Sequence, residues 1–286
     1  MPDFPIIDSH VHLYDVEKLS YPWLANVPRI NRSYGLADFD AARGPVEVEA
    51  LVFAEVWVGP GLHLDEAAWV QGLADRDPRL QGMIAHLPLE LGPDVVRGDL
   101  EQLLQHPTLR GIRRLIEIEL DPRFCLEPGF LAALKLLPRH DLVFDICVKH
   151  WCLPFAVELA QRCPDVTFVL DHLGKPGIKH GMWQPWADLM KELGRLPNVI
   201  CKVSGVITEA DHAHWQKAEV VPYLRHAIEC FGFDRLMYGS DWTVSELTHP
   251  YPEWVRILDE VMDGTSEAER RQLYRETARR VYRLQG

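Results

Sequence analysis

The chain has 286 residues, of which 47% are hydrophobic and 25% charged. That is enough apolar material for one large core, with an ordinary charged share for a soluble protein. Its net charge of −12, with 30 Lys and Arg against 42 Asp and Glu and no basic cluster, excludes a nucleic-acid binder that works by neutralising phosphates.

No apolar run approaches the roughly 18 residues of a membrane span, so no membrane partner is expected. The six cysteines, Cys125, Cys147, Cys152, Cys163, Cys201 and Cys230, lack paired zinc-type spacing. Cys147, Cys201 and Cys230 lie in apolar or helix-like segments, where a free thiol behaves as a small hydrophobe. Residues 1–5 are too short for a leader peptide, and the expected location is the cytoplasm, with reduced thiols. Low-complexity tracts, repeats and linkers are absent, so residues 1–286 are expected to form a single domain.

In chain order, eight apolar runs predict strands: 5–13, 49–58, 80–89, 109–116, 142–149, 166–174, 198–206 and 235–244. Each is rich in Val, Ile, Leu or Phe, as parallel strands covered on both faces are. Helical spacing separates several of them. "DEAAWVQGLADRD" (65–77) places Ala68, Trp69 and Leu73 on an inner face, and "PFAVELAQRCPD" (154–165) opens on a proline. The chain closes on "TSEAERRQLYRETARRVYRL" (265–284), with Thr265 or Ser266 as cap. Eightfold strand–helix alternation predicts an α/β fold, a (β/α)8 TIM-type barrel. A doubly wound sheet would carry a Gly-rich turn after its first strand, whereas this one ends in His-Val-His. The connections 13–48 and 175–197 are long, which predicts binding loops at the C-terminal face.

Polar residues gather where these runs end. Alternation puts Asp8, His10 and His12 on one face of the first strand. The later strands offer Glu55 and Trp57, His86, Arg113, Lys149 with His150, Asp171 with His172, Lys202 with Ser204, and Asp241 followed by Trp242. Unpaired burial of one such group costs several kcal/mol, so their recurrence predicts a shared polar cavity at one mouth of the barrel. Some have structural explanations: His86 as a core histidine, Lys202 paired with an internal acid such as Asp145. The set His10, His12, His172 and Asp241 is different. Neutral imidazoles and a carboxylate suit a zinc-like ion with a position left for water.

"DSHVHL" (8–13), "LDHLGKP" (170–176) and "YGSDWT" (238–243) resemble the strand-one His-x-His, strand-six His and strand-eight Asp of the amidohydrolase superfamily. "KVSG" (202–205) and the closing helix are similar to its amidohydrolase-2 branch, which includes sugar lactonases. The resemblance spans residue 6 to about 284. It implies a metal set of His10, His12, His172 and Asp241, with Asp241 handling the proton of the attacking water. Binuclear members carry a bridging Lys or Glu on strand four or five, where this chain has Arg113, which cannot ligate a metal. The expected cofactor is therefore one divalent metal, zinc, which the lactonase branch does not strictly require; no organic cofactor is expected.

The reaction expected is hydrolysis of a small sugar-acid lactone of the L-fucono-, L-galactono- or L-rhamnonolactone type. Asp241 is the general base, and His172, His150 and Arg113 are candidate stabilisers of the oxyanion. His10, His12, Glu55, Lys149 and the indoles of Trp23, Trp57 and Trp242 are expected to bind the sugar ring, and Trp151 lies at another strand end. Ser240-Asp241 lacks the nucleophile-elbow pattern of a serine hydrolase. Two other readings remain at this point: a metal-dependent decarboxylase of the same superfamily, and a non-catalytic barrel that binds sugar acids.

Overall fold

The computed structural model describes residues 1–286. Eight parallel strands follow one another in chain order around a single sheet. They are β1 (Ile6–Val11), β2 (Val48–Ala54), β3 (Leu80–His86), β4 (Leu109–Arg113), β5 (Val143–Ile146), β6 (Phe168–Leu170), β7 (Val199–Val203) and β8 (Leu236–Tyr238). The ring closes just past β8, where Asp241 N donates to His10 O at 3.0 Å and His12 N to Trp242 O at 2.5 Å. Helices cover the outside: α1 (Leu36–Arg43), α2 (His63–Ala74), α3 (Pro93–Leu103), α4 (Pro128–Leu134), α5 (Leu153–Arg162), α6 (Trp186–Arg195), α7 (Lys217–Phe231) and α8 (Tyr251–Val261). The fold is the expected (β/α)8 barrel. None of its helices is long and apolar enough to cross a membrane.

Two apolar cores result. The larger lies between the sheet and the helices. The smaller fills the lower barrel with Ile7, Val52, Ile84, Val143, Val169, Ile200 and Met237, closed from below by Ala278, Val281, Tyr282 and Leu284. Those last residues belong to the C-terminal helical stretch, α9 (Glu267–Arg271) and α10 (Thr277–Tyr282), joined by one wide turn at Gln272–Glu276. Ser266 is its cap: Ser266 Oγ accepts from Glu269 N at 3.3 Å, and Ser266 N donates to Glu269 Oε2 at 2.8 Å. Gly111 marks how tight this floor is. A Cβ there would come within 2.6 Å of Val143 Cγ2.

Three details depart from the sequence reading. β6 and β8 end at Leu170 and Tyr238, so Asp171, His172 and Asp241 stand on the turns that follow. His172 and Asp241 have φ of 54° and 58° and Trp57 one of 50°, left-handed values that no strand can continue through. Asp8 does not share a face with His10 and His12, because the β1–β2 register shifts between Asp8 and Val11. That irregularity changes the phase of the strand. It sends the Asp8 carboxylate to Tyr251 Oη on α8 (3.0 Å) and Ser240 N (2.9 Å). Finally, both long connections carry structure of their own: 175–197 holds one short turn and α6, and 13–48 folds into two short turns and α1.

Candidate active site

Above the apolar floor the inward-facing residues become charged. Lys202 of β7 pairs with Asp145 of β5 at 2.5 Å and with Asp171 at 3.1 Å. The pairing expected for Lys202 is therefore present. Arg113 of β4 pairs with Glu55 at 2.9 Å and Asp171 at 3.1 Å, and also donates to the Glu55 carbonyl. All five side chains are buried, and each ion meets an opposite charge, as burial at this depth demands. Burial alone would discharge Lys202, but Asp145 and Asp171 outweigh it and raise its pKa.

His10 rests on this layer. Its Nδ1 lies 3.1 Å from Lys202 Nζ and 3.3 Å from Asp171 Oδ1, and its Nε2 lies 3.2 Å from Arg113 Nη1. Burial lowers its pKa well below the ordinary value despite Asp171, so the ring is neutral. His12 is fixed by its Nδ1 against Ala54 O at 2.9 Å, and His172 by its Nδ1 against Ser204 Oγ at 2.9 Å. Burial lowers His172 to about 4 even with Asp241 beside it.

These rings converge on Asp241. Its Oδ1 lies 3.3 Å from His12 Nε2, 3.7 Å from His10 Nε2 and 3.8 Å from His172 Nε2. Burial opposes its charge, but His172, His12 and His10 outweigh burial and hold the carboxyl well below the usual range. Gly205 explains the "KVSG" stretch. A Cβ there would come within 2.5 Å of both Asp241 Oδ2 and His172 Nδ1, at a φ of 55° that itself favours glycine.

The donor set suits a zinc-like ion. His10 Nε2, His12 Nε2 and Asp241 Oδ1 are buried and stand 3.3, 3.3 and 3.7 Å apart. Ligands about 2.0–2.1 Å from a tetrahedral zinc are separated by about 3.4 Å. His12 directs Nε2 inward because Nδ1 is engaged elsewhere, the usual arrangement for a ligating histidine. His172 stands beside this trio, forming with His10 and Asp171 a second group of the same kind.

Above the cluster is a cavity of about 360 Å³, sized for a small molecule. Its lining includes His12, Glu55, Arg113, His172 and Asp241, together with Trp23, Trp57 and Lys149. Trp57 is 43% exposed, and Trp23 donates from Nε1 to Val56 O at 2.8 Å. Three expected residues do not line this cavity: His10, which is fully buried, Trp242 and His150. Trp242 is fully buried behind Asp241, its ring against Tyr34 and Phe39 and its Nε1 donating to Glu246. His150 turns away to the Lys175 carbonyl and lines a neighbouring recess with Trp151. Of the Lys149–His150 pair, then, the lysine faces the cavity. His86 lies at the end of β3 beside His63, away from the cavity lining.

The sequence reading missed Glu117, Lys175, Thr208, Glu209 and His212 in this lining. Lys175 pairs with Glu117 at 2.6 Å, and Lys149 with Glu209 at 2.7 Å. Lys175 lies within the "LDHLGKP" motif and Glu117 just past β4 in "RRLIEIE", so a wider reading of the strand ends would have found both.

Comparison with known proteins agrees with this architecture. Residues 7–284 match the family model described as amidohydrolase. An L-fucono-1,5-lactonase of Burkholderia multivorans is 31% identical over 293 residues, 97% of this chain and 96% of that protein. A second L-fucono-1,5-lactonase, from Burkholderia ambifaria, is 30% identical over 90% of this chain and 88% of its own length. Among solved structures, a zinc-bound amidohydrolase of Burkholderia multivorans superposes with a TM-score of 0.88 at 29% identity, covering 99% of this chain and all of that one. With the family model spanning nearly its whole length, this chain belongs to the amidohydrolase family and is a hydrolase.

Proposed function

We propose that this hydrolase opens a small neutral sugar lactone of the L-fucono-, L-galactono- or L-rhamnonolactone type, with Asp241 as general base. One observation carries the reading. Of the four carboxylates lining the cavity, Glu55 is paired with Arg113, Glu117 with Lys175 and Glu209 with Lys149. Asp241 alone has no lysine or arginine partner and is surrounded by imidazoles. Its carboxylate is therefore the one available for proton transfer. The same pairing leaves each lining cation already neutralised, which suits an uncharged ring rather than a dicarboxylate. Relatives named for L-fucono-1,5-lactone hydrolysis support this substrate class.

In the reaction, water adds to the lactone carbonyl carbon as Asp241 takes its proton. Ser204 donates its hydroxyl proton to His172 Nδ1, leaving a proton on Nε2 that supports the developing oxyanion, with the Arg113 charge beneath. The tetrahedral centre then collapses, the ring C–O bond breaks, and Asp241 returns the proton to the departing alkoxide. Trp23 and Trp57 hold the ring between them, beside Glu55 and Lys149. His10, His12 and Asp241 would hold one zinc ion, which would supply a Lewis acid at the carbonyl oxygen.

The test is a panel of aldonolactones assayed before and after metal stripping, alongside Asp241→Asn. Turnover above the spontaneous rate, reduced about 10³-fold in Asp241→Asn, is expected. A panel left at the spontaneous rate, with an unchanged Asp241→Asn, would overturn the reading. Lactone-dependent melting shifts without turnover would indicate a binding barrel instead.

A further inference from the structure

Glu117 lies just beyond β4, which stands opposite β8 in the eight-strand ring, so it faces the Asp241 cluster across the cavity that both residues line. Its Oε1 is pinned by Lys175 Nζ at 2.6 Å. Lys175 is itself held in place: its backbone has a left-handed φ of 45°, and its carbonyl accepts from His150 N at 3.3 Å with His150 Nδ1 at 3.2 Å. The other oxygen, Oε2, is buried and has no hydrogen-bond partner. Burial would favour the neutral acid, but the Lys175 and Lys149 charges outweigh it and keep Glu117 ionised.

An ionised carboxylate only accepts hydrogen bonds, and a buried acceptor left without a donor is costly. No residue of the chain supplies that donor, so the vacant position is matched to something that enters the cavity. We infer that Glu117 is a specificity-determining residue whose Oε2 accepts a hydrogen bond from one ring hydroxyl of the substrate. The inference rests on the lactone reading and sharpens it, since a carboxylate of fixed position selects a hydroxyl and repels a substrate carboxylate. A site built to bond a hydroxyl rejects the analogue lacking it far more strongly than an apolar pocket rejects a missing methylene.

The test compares an aldonolactone with its set of mono-deoxy analogues, in the wild type and in Glu117→Gln. Gln retains an oxygen for Lys175 but presents an N–H to the cavity. For one ring position, the wild-type ratio of kcat/KM between hydroxylated and deoxy lactone is expected at about 10⁴, falling toward 1 in the variant. Ratios unchanged by Glu117→Gln at every position would overturn the inference, because a merely structural role lowers all substrates together. Calorimetry with the corresponding lactams, in which a ring amide replaces the ester, separates this inference from its parent. Lactams that bind with the same Glu117-dependent hydroxyl preference, in an enzyme that turns over no lactone, would sink hydrolysis and keep the inference. Lactams that bind without that preference, or fail to bind, would sink the inference even if lactones are hydrolysed.

Discussion

Along β7, Ile200 enters the apolar floor of the barrel, while Lys202, two residues on, enters the charged layer above it. Val143 and Asp145 repeat the step on β5, and Val169 and Asp171 from β6 to the turn that follows it. One turn of alternation therefore separates two regions with different physics. The floor is held by close packing, in which each methyl group matters on its own. The layer above is held by mutual compensation, in which no ion can be removed without stranding its partner. The floor contributes apolar burial; the charged layer fixes where His10, Arg113 and the cluster above them stand.

The largest effect on this contrast is expected from Gly205→Ala. Its Cβ would displace Asp241 and His172 together, and misplaced groups lose orders of magnitude in rate. A fall in kcat of about 10²-fold or more, with the barrel's circular dichroism retained, would place the damage in the mouth. Lys202→Met comes next. It strands Asp145 and Asp171, and a loss of about 3–5 kcal/mol in denaturant unfolding is expected. A near-neutral outcome would mean that the layer tolerates an apolar plug.

Acid should weaken the fold through buried histidines that lie outside the floor. His172 at the mouth, and His249 just before α8 with its ring against Trp254, are buried and lowered from 6.5 to about 4 by burial. Between those values the unfolded chain binds more protons than the folded one, so stability falls as pH drops from about 6.5 toward 4. Melting temperatures across that window should decline, and His249→Gln should flatten part of the slope. The smallest effect is expected on the floor. Ile200→Val removes one methylene-sized group from the lower barrel and should cost about 1 kcal/mol, with kcat unchanged. A change in kcat would show that the floor reaches the chemistry.

Much of this molecule is decided by local order in the chain. Eight apolar runs separated by helical spacing require a layered α/β fold, because each run must be covered on both faces. Polar residues at the ends of those runs require a shared cavity, because they cannot be buried singly. His10, His12, His172 and Asp241 are legible on those grounds, and Lys202 with Asp145 is as well. Other features depend on the closed ring. A register shift within β1 turned Asp8 outward, and left-handed turns after β6 and β8 ended those strands early. The fate of the indoles was also tertiary: Trp57 stayed at the mouth while Trp242 was packed away. The pairings are long-range for the same reason. Arg113 meets Asp171, and Glu117 meets Lys175, each across 58 residues of sequence. Alternation specifies which side of a strand a residue takes, but only barrel closure sets which strand ends face one another, and so which carboxylate is left without a cation.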